Sequence, residues 1–395
     1  MGLAALHWFA LAASVAAPRE VALDEALRAA EAAPDVVAAR ATERVASANV
    51  RLARAPGEPS LSLQTHSITA QGSVAVSVPF RWAGQRAAEV RAATAELESA
   101  SRSREAAIAT ARRAARVAWY TLAASEDRFR AATEQVARSE RTRSAIAEML
   151  AVERASKLDA ARAAADAASA TAALAKAEQE VIAASAELRA LLGIEDSRIS
   201  AGTAQPKPPL EGDLESWRTR ARKDSPELGV AEAALRTAEA RVAQRSRERL
   251  PATSLEAGAD WSDPTQPGTD TMIGLGISFP TRARAGLDAA RAERDRAAAQ
   301  LDLARRRLDA DVESAWSGAR AARLRFETLD GIARPAAVEA AEMTRFAARE
   351  GRLDLFHLLD AERALNETER DRAEAYRDWG IAYAELERLA PEAVP

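Results

Sequence analysis

Hydrophobic and polar residues alternate with a period of two in a few short stretches of the chain. Residues 74–80 place three valines and a phenylalanine at every second position, with smaller residues between them. Residues 253–261 and 273–279 show the same alternation. This pattern predicts β-strands within about 60–80 and about 253–280, each with one apolar and one polar face. It is typical of barrel strands in lipid, and it also fits a small soluble sheet with one buried face.

Long runs rich in alanine, glutamate and arginine predict helices around the strands. Residues 85–148 contain neither proline nor glycine, and a helix of about 60 residues would reach about 90 Å. The chain is expected to reverse at about 152–157 and again at 350–352, which gives two helical hairpins. Gly193 is expected to end the first hairpin, and Pro335 predicts a kink or local unwinding in the second.

The two strand regions belong to an internal repeat, in which the same order of elements occurs twice along the chain. Each half reads as helix, two strands, long helix, turn and helix, and Trp119 and Trp316 occupy equivalent places. The predicted division is a leader at 1–17, a first repeat at 18–193 with its hairpin at about 85–193, a connection at 194–224, a second repeat at 225–389 with its hairpin at about 287–389, and a tail at 390–395. The connection contains several prolines and glycines and is expected to lie on the outside.

Four strands cannot cross a bilayer alone, because the unpaired groups of the two edge strands would each cost several kcal/mol in hydrocarbon. If the strands lie in lipid, the chain must share a barrel with copies of itself. Three copies would supply twelve strands, which is enough to surround a pore.

Composition narrows the classes of function. Aromatic residues make up 4% of the 395 residues, and alanine is the dominant residue of the predicted helices. Such small side chains let helices approach closely, which suits a wall one helix thick. The net charge of −4 gives no reason to expect nucleic acid as a partner. Cysteine is absent, so neither disulfides nor a lipid-modified cysteine are available. Residues 3–17 resemble the apolar part of a secretory leader, although a buried terminal helix is the alternative.

Titratable residues form no pattern of a catalytic or metal site. The three histidines, His7, His66 and His357, are far apart in sequence, and neither a nucleophile motif nor a phosphate-binding loop occurs. We therefore expect no enzyme activity, cofactor or resident metal. Charged residues do cluster at the two reversals, where they are either rings of charge in an oligomer or ordinary solvated helix charges. They include Arg154, Lys157 and Asp159 at the first reversal, and Glu350, Arg352, Asp354 and Asp360 at the second.

The duplicated plan resembles the outer membrane efflux protein family, the TolC-like channel-tunnels that include the heavy-metal branch. The resemblance covers about Val21 to Leu389. It rests on the strand-to-helix junctions 76–80 and 276–280, with Pro79, Gly84, Pro280 and Gly286, and on the second reversal, Gly351-Arg352-Leu353-Asp354 followed by Leu359-Asp360-Ala361. At the first reversal Ala155 stands where a glycine would be expected.

The resemblance implies a mainly α-helical fold with a small β part. As a homotrimer it would form a twelve-stranded barrel in the outer membrane of a Gram-negative bacterium, continued by a twelve-helix α-barrel in the periplasm. It also implies a periplasmic adaptor and an inner-membrane pump of the RND type as partners. The constricting carboxylate of the family would fall on Asp360, and His357 stands one turn earlier, at a position that is often acidic.

Two other functions also fit parts of the sequence. A periplasmic adaptor also has a long helical hairpin, but it has one hairpin rather than two. A coiled-coil structural protein without a pore would need more regular heptads of large apolar residues than this alanine-rich sequence contains. The transported substrate, whether a metal cation, a small toxic compound such as a drug, or a secreted polypeptide, is not encoded in any motif.

Overall fold

The structure is a computed structural model that describes residues 18–66, 71–81, 84–195, 198–262, 268–281, 283–350 and 355–391. The predicted leader, Gly351, Arg352 and Asp354 lie outside the described residues. The elements follow in chain order: β1 (Arg19–Glu20), α1 (Leu23–Ala30), α2 (Pro34–Arg54), β2 (Ser60–His66), β3 (Gln71–Phe80), α3 (Gln85–Ala151), α4 (Lys157–Leu192), β4 (Ile199–Ser200), α5 (Leu214–Asp224), α6 (Pro226–Arg247), β5 (Ala252–Ser262), β6 (Gly268–Ser278), α7 (Ala283–Thr328), a π-helical turn (Leu329–Ala333), α8 (Arg334–Arg349) and α9 (Leu355–Leu389).

The four long strands form one antiparallel sheet in the order β2-β3-β5-β6. The register aligns Leu61, Val76, Ala257 and Ile273 in one row across the sheet. Because side chains alternate between faces, this register collects the apolar residues on one face and the polar residues on the other. The apolar face is exposed: Ile273, for example, is 83% exposed and Leu275 is 65% exposed.

The chain divides into two compact units, and each draws on both sequence halves. The first unit contains residues 1–33, 112–211 and 315–385, and the second contains residues 34–111, 212–314 and 386–395. The sheet belongs to the second unit, and the two chain reversals belong to the first. In the parts of the chain that the structure describes, none of the helices is both long enough and apolar enough to cross a membrane.

An aromatic cluster forms the core of the first unit. Neighbouring rings of Trp119, Tyr120, Tyr376, Phe326 and Trp379 lie with centroids 5.2 to 5.6 Å apart. The Trp119 indole donates a hydrogen bond to the Val21 carbonyl at 2.8 Å. These rings supply bulk that the alanine-rich helices lack elsewhere, so they fix α3, α7 and α9 against the start of the chain.

The segment 194–224 takes part in the core, contrary to the expectation that it lies outside. In the first unit Ile199 is 3% exposed, and the hydroxyls of Tyr120 and Tyr376 both donate to the Pro206 carbonyl, at 3.3 and 3.0 Å. In the second unit the segment forms α5, whose Trp217 is 1% exposed. The prolines correctly predicted an irregular backbone between β4 and α5, but they could not indicate which side chains of the segment are buried.

Local unwinding near Pro335 takes the form of the π-helical turn at Leu329–Ala333. Proline at the second position of α8 cannot donate a backbone hydrogen bond to the preceding turn, and the ladder shifts by one residue there. Asp330 of this turn lies 3.5 Å from Arg372 of α9, which also reaches Asp127 of α3 at 3.4 Å. One arginine of α9 therefore contacts both the turn and α3.

The helices of the second unit pack mainly through small side chains. Val50 and Ala53 of α2 meet Ala93 of α3 in a small apolar cluster, and the Thr237 hydroxyl of α6 donates to the Ala95 carbonyl of α3 at 3.0 Å. A side chain of one helix can reach the backbone of another only when the two lie close, so alanine here permits close approach in place of bulk.

We predict that Gly380→Ala destabilises the protein, because a Cβ at this position would overlap the ring of Tyr120. Overpacking of this kind costs about 1–3 kcal/mol, and it should outweigh the gain of about 1 kcal/mol in helix propensity. Thermal unfolding in detergent measures the effect. Gly318→Ala is the control, since it also lies inside a helix but in open space. Equal midpoints for the two variants would contradict the packing of Tyr120 on α9.

Candidate functional site

The first tip, residues 152–156 between α3 and α4, turns through a non-glycine residue in the left-handed region. Glu153 has φ of 59°. Its N–H donates to the Leu150 carbonyl at 3.1 Å, and the N–H of Arg154 donates to the Met149 carbonyl at 2.8 Å. These two bonds define a Schellman ending of α3. The left-handed position of this turn is therefore Glu153, within the reversal expected at about 152–157. Ala155, where the family resemblance led us to expect a glycine, does not hold it.

Ser156 and Asp159 close the start of α4 with a reciprocal capping box. The Asp159 N–H donates to Ser156 Oγ at 3.1 Å, and the Ser156 N–H donates to the Asp159 carboxylate at 3.1 Å. Asp159 was expected among the charges of the tip, and this contact gives it a local role at the helix start. Arg154 and Lys157 are exposed.

The second tip, residues 350–354 between α8 and α9, is described only at Glu350, which is exposed. In α9, His357 and Asp360 are both exposed, and the His357 ring stacks edge-on against Phe356 with centroids 5.9 Å apart. They lie three residues apart, so they share one side of the helix. The structure thus brings together two of the residues expected at the constriction and leaves them on an open surface of the chain.

A buried carboxylate that the sequence did not single out lies directly behind Asp360. Glu362 is 7% exposed and accepts a hydrogen bond from Arg345 Nε of α8 at 2.8 Å, while Arg138 Nε of α3 lies at 3.3 Å. One carboxylate therefore joins three helices. Removing one partner of a buried ion pair costs about 3–5 kcal/mol, because a charge is left uncompensated. The available signal was a glutamate in the stripe that otherwise buries Leu359 and Leu365.

A second ion pair ties α9 to α4. Arg363 Nε lies 3.7 Å from Asp166 Oδ1, and the Asp166 side chain is 15% exposed. Burial raises the pKa of Asp166 above its usual range, and the nearby Arg363 opposes that shift. Glu362 and Arg363 are adjacent in sequence and hold α9 in two directions.

The polar face of the sheet is acidic. It carries Glu256, Asp260 and Asp270, and the last two are direct partners across β5 and β6. The four strands, as the structure bounds them, contain no lysine or arginine. Like charges placed opposite each other repel, so this face favours the presence of cations. Among the described residues, no group of three or more His, Asp or Glu side chains is arranged to hold a metal ion.

The two strand-to-helix junctions differ from each other. Gly84 has φ of +78° just before α3, a conformation that favours glycine. Pro79 lies within β3, opposite Ser254 of β5. In the second half, Pro280 follows β6, but α7 already starts at Ala283, so Gly286 lies inside the helix. The helix therefore starts at Ala283, earlier than the start at about 287 that the sequence predicted.

Solved structures of the same fold include outer membrane channels. The structure is similar to a membrane protein from Pseudomonas aeruginosa, with a TM-score of 0.79, 19% identity and coverage of 93% of each chain. It is similar to the CmeC outer membrane channel of Campylobacter jejuni, with a TM-score of 0.78, 14% identity and coverage of 93% of this chain and 85% of that one. It is also similar to the open state of the MtrE outer membrane channel of Neisseria gonorrhoeae, with a TM-score of 0.68, 19% identity and coverage of 93% and 88%.

Sequence comparison assigns the family. The family described as Outer membrane efflux protein matches residues 27–194 and 217–390. No curated protein matches the chain at a significant level. A duplicated helical chain with a four-stranded sheet is the fold of an outer-membrane channel subunit. The chain belongs to the outer membrane efflux protein family, and the predicted fold class, family and outer-membrane location are confirmed.

We predict that Glu153→Gly stabilises the first tip and that Glu153→Val destabilises it. The left-handed conformation costs an L-residue about 1–2 kcal/mol, and a β-branched side chain fits it least well. Thermal unfolding of the three proteins should rank glycine first, glutamate second and valine last. A valine variant as stable as the parent would show that residue 153 does not hold the left-handed position.

Proposed function

We propose that three copies of this chain form a passive exit duct for metal cations or small toxic compounds. A periplasmic adaptor and an inner-membrane pump of the RND type supply the transport work, and the duct opens and closes at the helix tips. The observation that carries the proposal is the sheet, whose apolar face is exposed and whose two outer strands, β2 and β6, have free outer edges within the described residues.

The sheet supports assembly through its edges. In hydrocarbon every backbone donor and acceptor needs a partner, and a barrel is the closed arrangement that leaves no edge. Joining β6 of one copy to β2 of the next pairs both edges at once. Three copies then give twelve strands with the apolar faces toward lipid and the polar faces toward a lumen.

The charge of the polar face supports cations as the preferred cargo. Three copies would place nine carboxylates from Glu256, Asp260 and Asp270 around one lumen, without a lysine or arginine from the strands. A pore lined by one sign of charge raises the local concentration of the opposite sign. A cationic metal or drug would therefore meet a lower barrier than an anion.

The tips support a gate. Asp360 and His357 are exposed on α9. Glu362, two residues after Asp360, holds the same helix to α3 and α8. In a trimer each exposed side chain becomes a ring of three. A related channel has been solved in an open state, which supports a conduit that exists in more than one state. Glu350, Arg154 and Lys157 are expected at the same end, together with Gly351, Arg352 and Asp354.

The membrane assignment is tested by two neighbouring positions on opposite faces of β5. Leu255→Arg places a charge on the apolar face, at a cost of about 2–4 kcal/mol near the middle of a bilayer. On unboiled gels of outer membranes, the parent should run as a heat-sensitive trimer and this variant should show much less of it. Glu256→Arg, on the polar face, should still assemble and should lower the preference for cations in planar bilayers. Full assembly of Leu255→Arg would mean that the apolar face does not meet lipid.

The gate is tested by charge reversal at Asp360. Asp360→Arg should raise single-channel conductance in planar bilayers, because ion pairs between Asp360 and cations of the neighbouring subunit, which would hold the tips together, would be lost. Glu367→Arg makes the same change of charge seven residues later, on the same exposed side of α9, and should conduct as the parent does. Equal conductance in all three proteins would move the constriction away from Asp360.

A further inference from the structure

We infer that a crevice between α3, α4 and α9 in the first unit binds a small oxyanion such as phosphate. The crevice has a volume of about 150 Å³, which is roughly that of five water molecules at about 30 Å³ each. Alanines of α3 and α4 form part of its wall, so the space is open to a ligand rather than filled by long side chains. It lies apart from the residues assigned to the gate.

Positive charge dominates the lining. Arg128, Lys176 and Arg370 contribute three cations from three helices, and Glu180 is the one acidic residue that lines the crevice. Arg128 Nη2 lies 3.4 Å from Glu180, so this pair offsets one charge. Lys176 and Arg370 are exposed and have no ion pair within the residues that the structure describes. About two positive charges therefore face a small space without a counter-ion.

Arg128 is more than a solvated surface charge. Its side chain is 19% exposed, and its Nε is buried without a hydrogen-bond partner among the described residues. A guanidinium is well suited to an oxyanion, because its fork of N–H groups can donate two parallel hydrogen bonds. The N–H groups of Arg128 outside its contact with Glu180 would donate to an anion in the crevice.

The side-chain amide of Asn366 can donate a hydrogen bond at the crevice. Arg138 Nη2 donates to Asn366 Oδ1 at 2.6 Å, so the oxygen is occupied and the amide NH₂ remains as the donor at the crevice wall. Gln135 lines the same space and can donate in the same way. Neutral donors beside cations favour an anion that accepts several hydrogen bonds over a simple halide.

Binding is measured on the full-length protein in detergent, so the result does not depend on conduction and stands apart from the proposed function. Inorganic phosphate is titrated against chloride at constant ionic strength, and thermal unfolding reports stabilisation of the folded state. The parent should show a saturable rise in the unfolding midpoint, with sulfate acting similarly. Isothermal titration calorimetry should give a single site per chain.

The decisive variant is the double substitution Lys176→Ala with Arg370→Ala. Both side chains are exposed and unpaired in the described structure, so the fold should persist, while phosphate affinity should fall at least tenfold. Arg141→Ala with Arg162→Ala removes the same charge from exposed positions of α3 and α4 outside the crevice and should bind phosphate as the parent does. A phosphate response no larger than that of chloride, or one equal in both double variants, would overturn the inference.

Discussion

The structure depends on the separation of apolar and polar side chains across one four-stranded sheet, whose two outer strands pair with no further strand among the described residues. The register that aligns Leu61 with Val76, Ala257 and Ile273 leaves no polar residue in that row. Burying this face in its own chain would require a second layer, yet the apolar residues are exposed. Lipid and neighbouring copies are the surroundings that satisfy both the apolar face and the unpaired edges at once. Membrane location and oligomerisation therefore arise from the same constraint.

Alanine sets the character of the helices. Small side chains allow close approach, as between Thr237 and the Ala95 carbonyl, but they provide little apolar surface for each contact. Specific contacts then matter more. The first unit places its bulk in one aromatic cluster, and beyond the cluster it relies on charges such as Glu362 between Arg345 and Arg138. Ionic contacts of this kind define the positions of the helices, because leaving one partner unpaired in a buried place is costly.

Much of the fold could be read from the chain, because its signals were local. Strand alternation, the proline-free run of α3 and the glycine ending of α4 all act over a few residues, and each element formed close to its predicted bounds. The errors came from longer range. The first reversal lies where it was expected, but its left-handed residue could not be identified in advance because Glu153 is not a glycine. Trp217 was missed because burial depends on partners far away in sequence. Glu362 was missed because a charge in an apolar stripe has no meaning until its two arginines are in place.

The sequence by itself determined the two-fold repeat, the strands with two unlike faces, the helical hairpins and the family, since periodicity and duplication survive in a linear text. The tertiary structure decided which charges are paired and which are open. Glu362 lies between three helices and Asp360 remains exposed, although both are carboxylates two residues apart in the same helix. The physical reason is that a carboxylate's role depends on desolvation and on the donors within about 3 Å, and the fold alone brings these together.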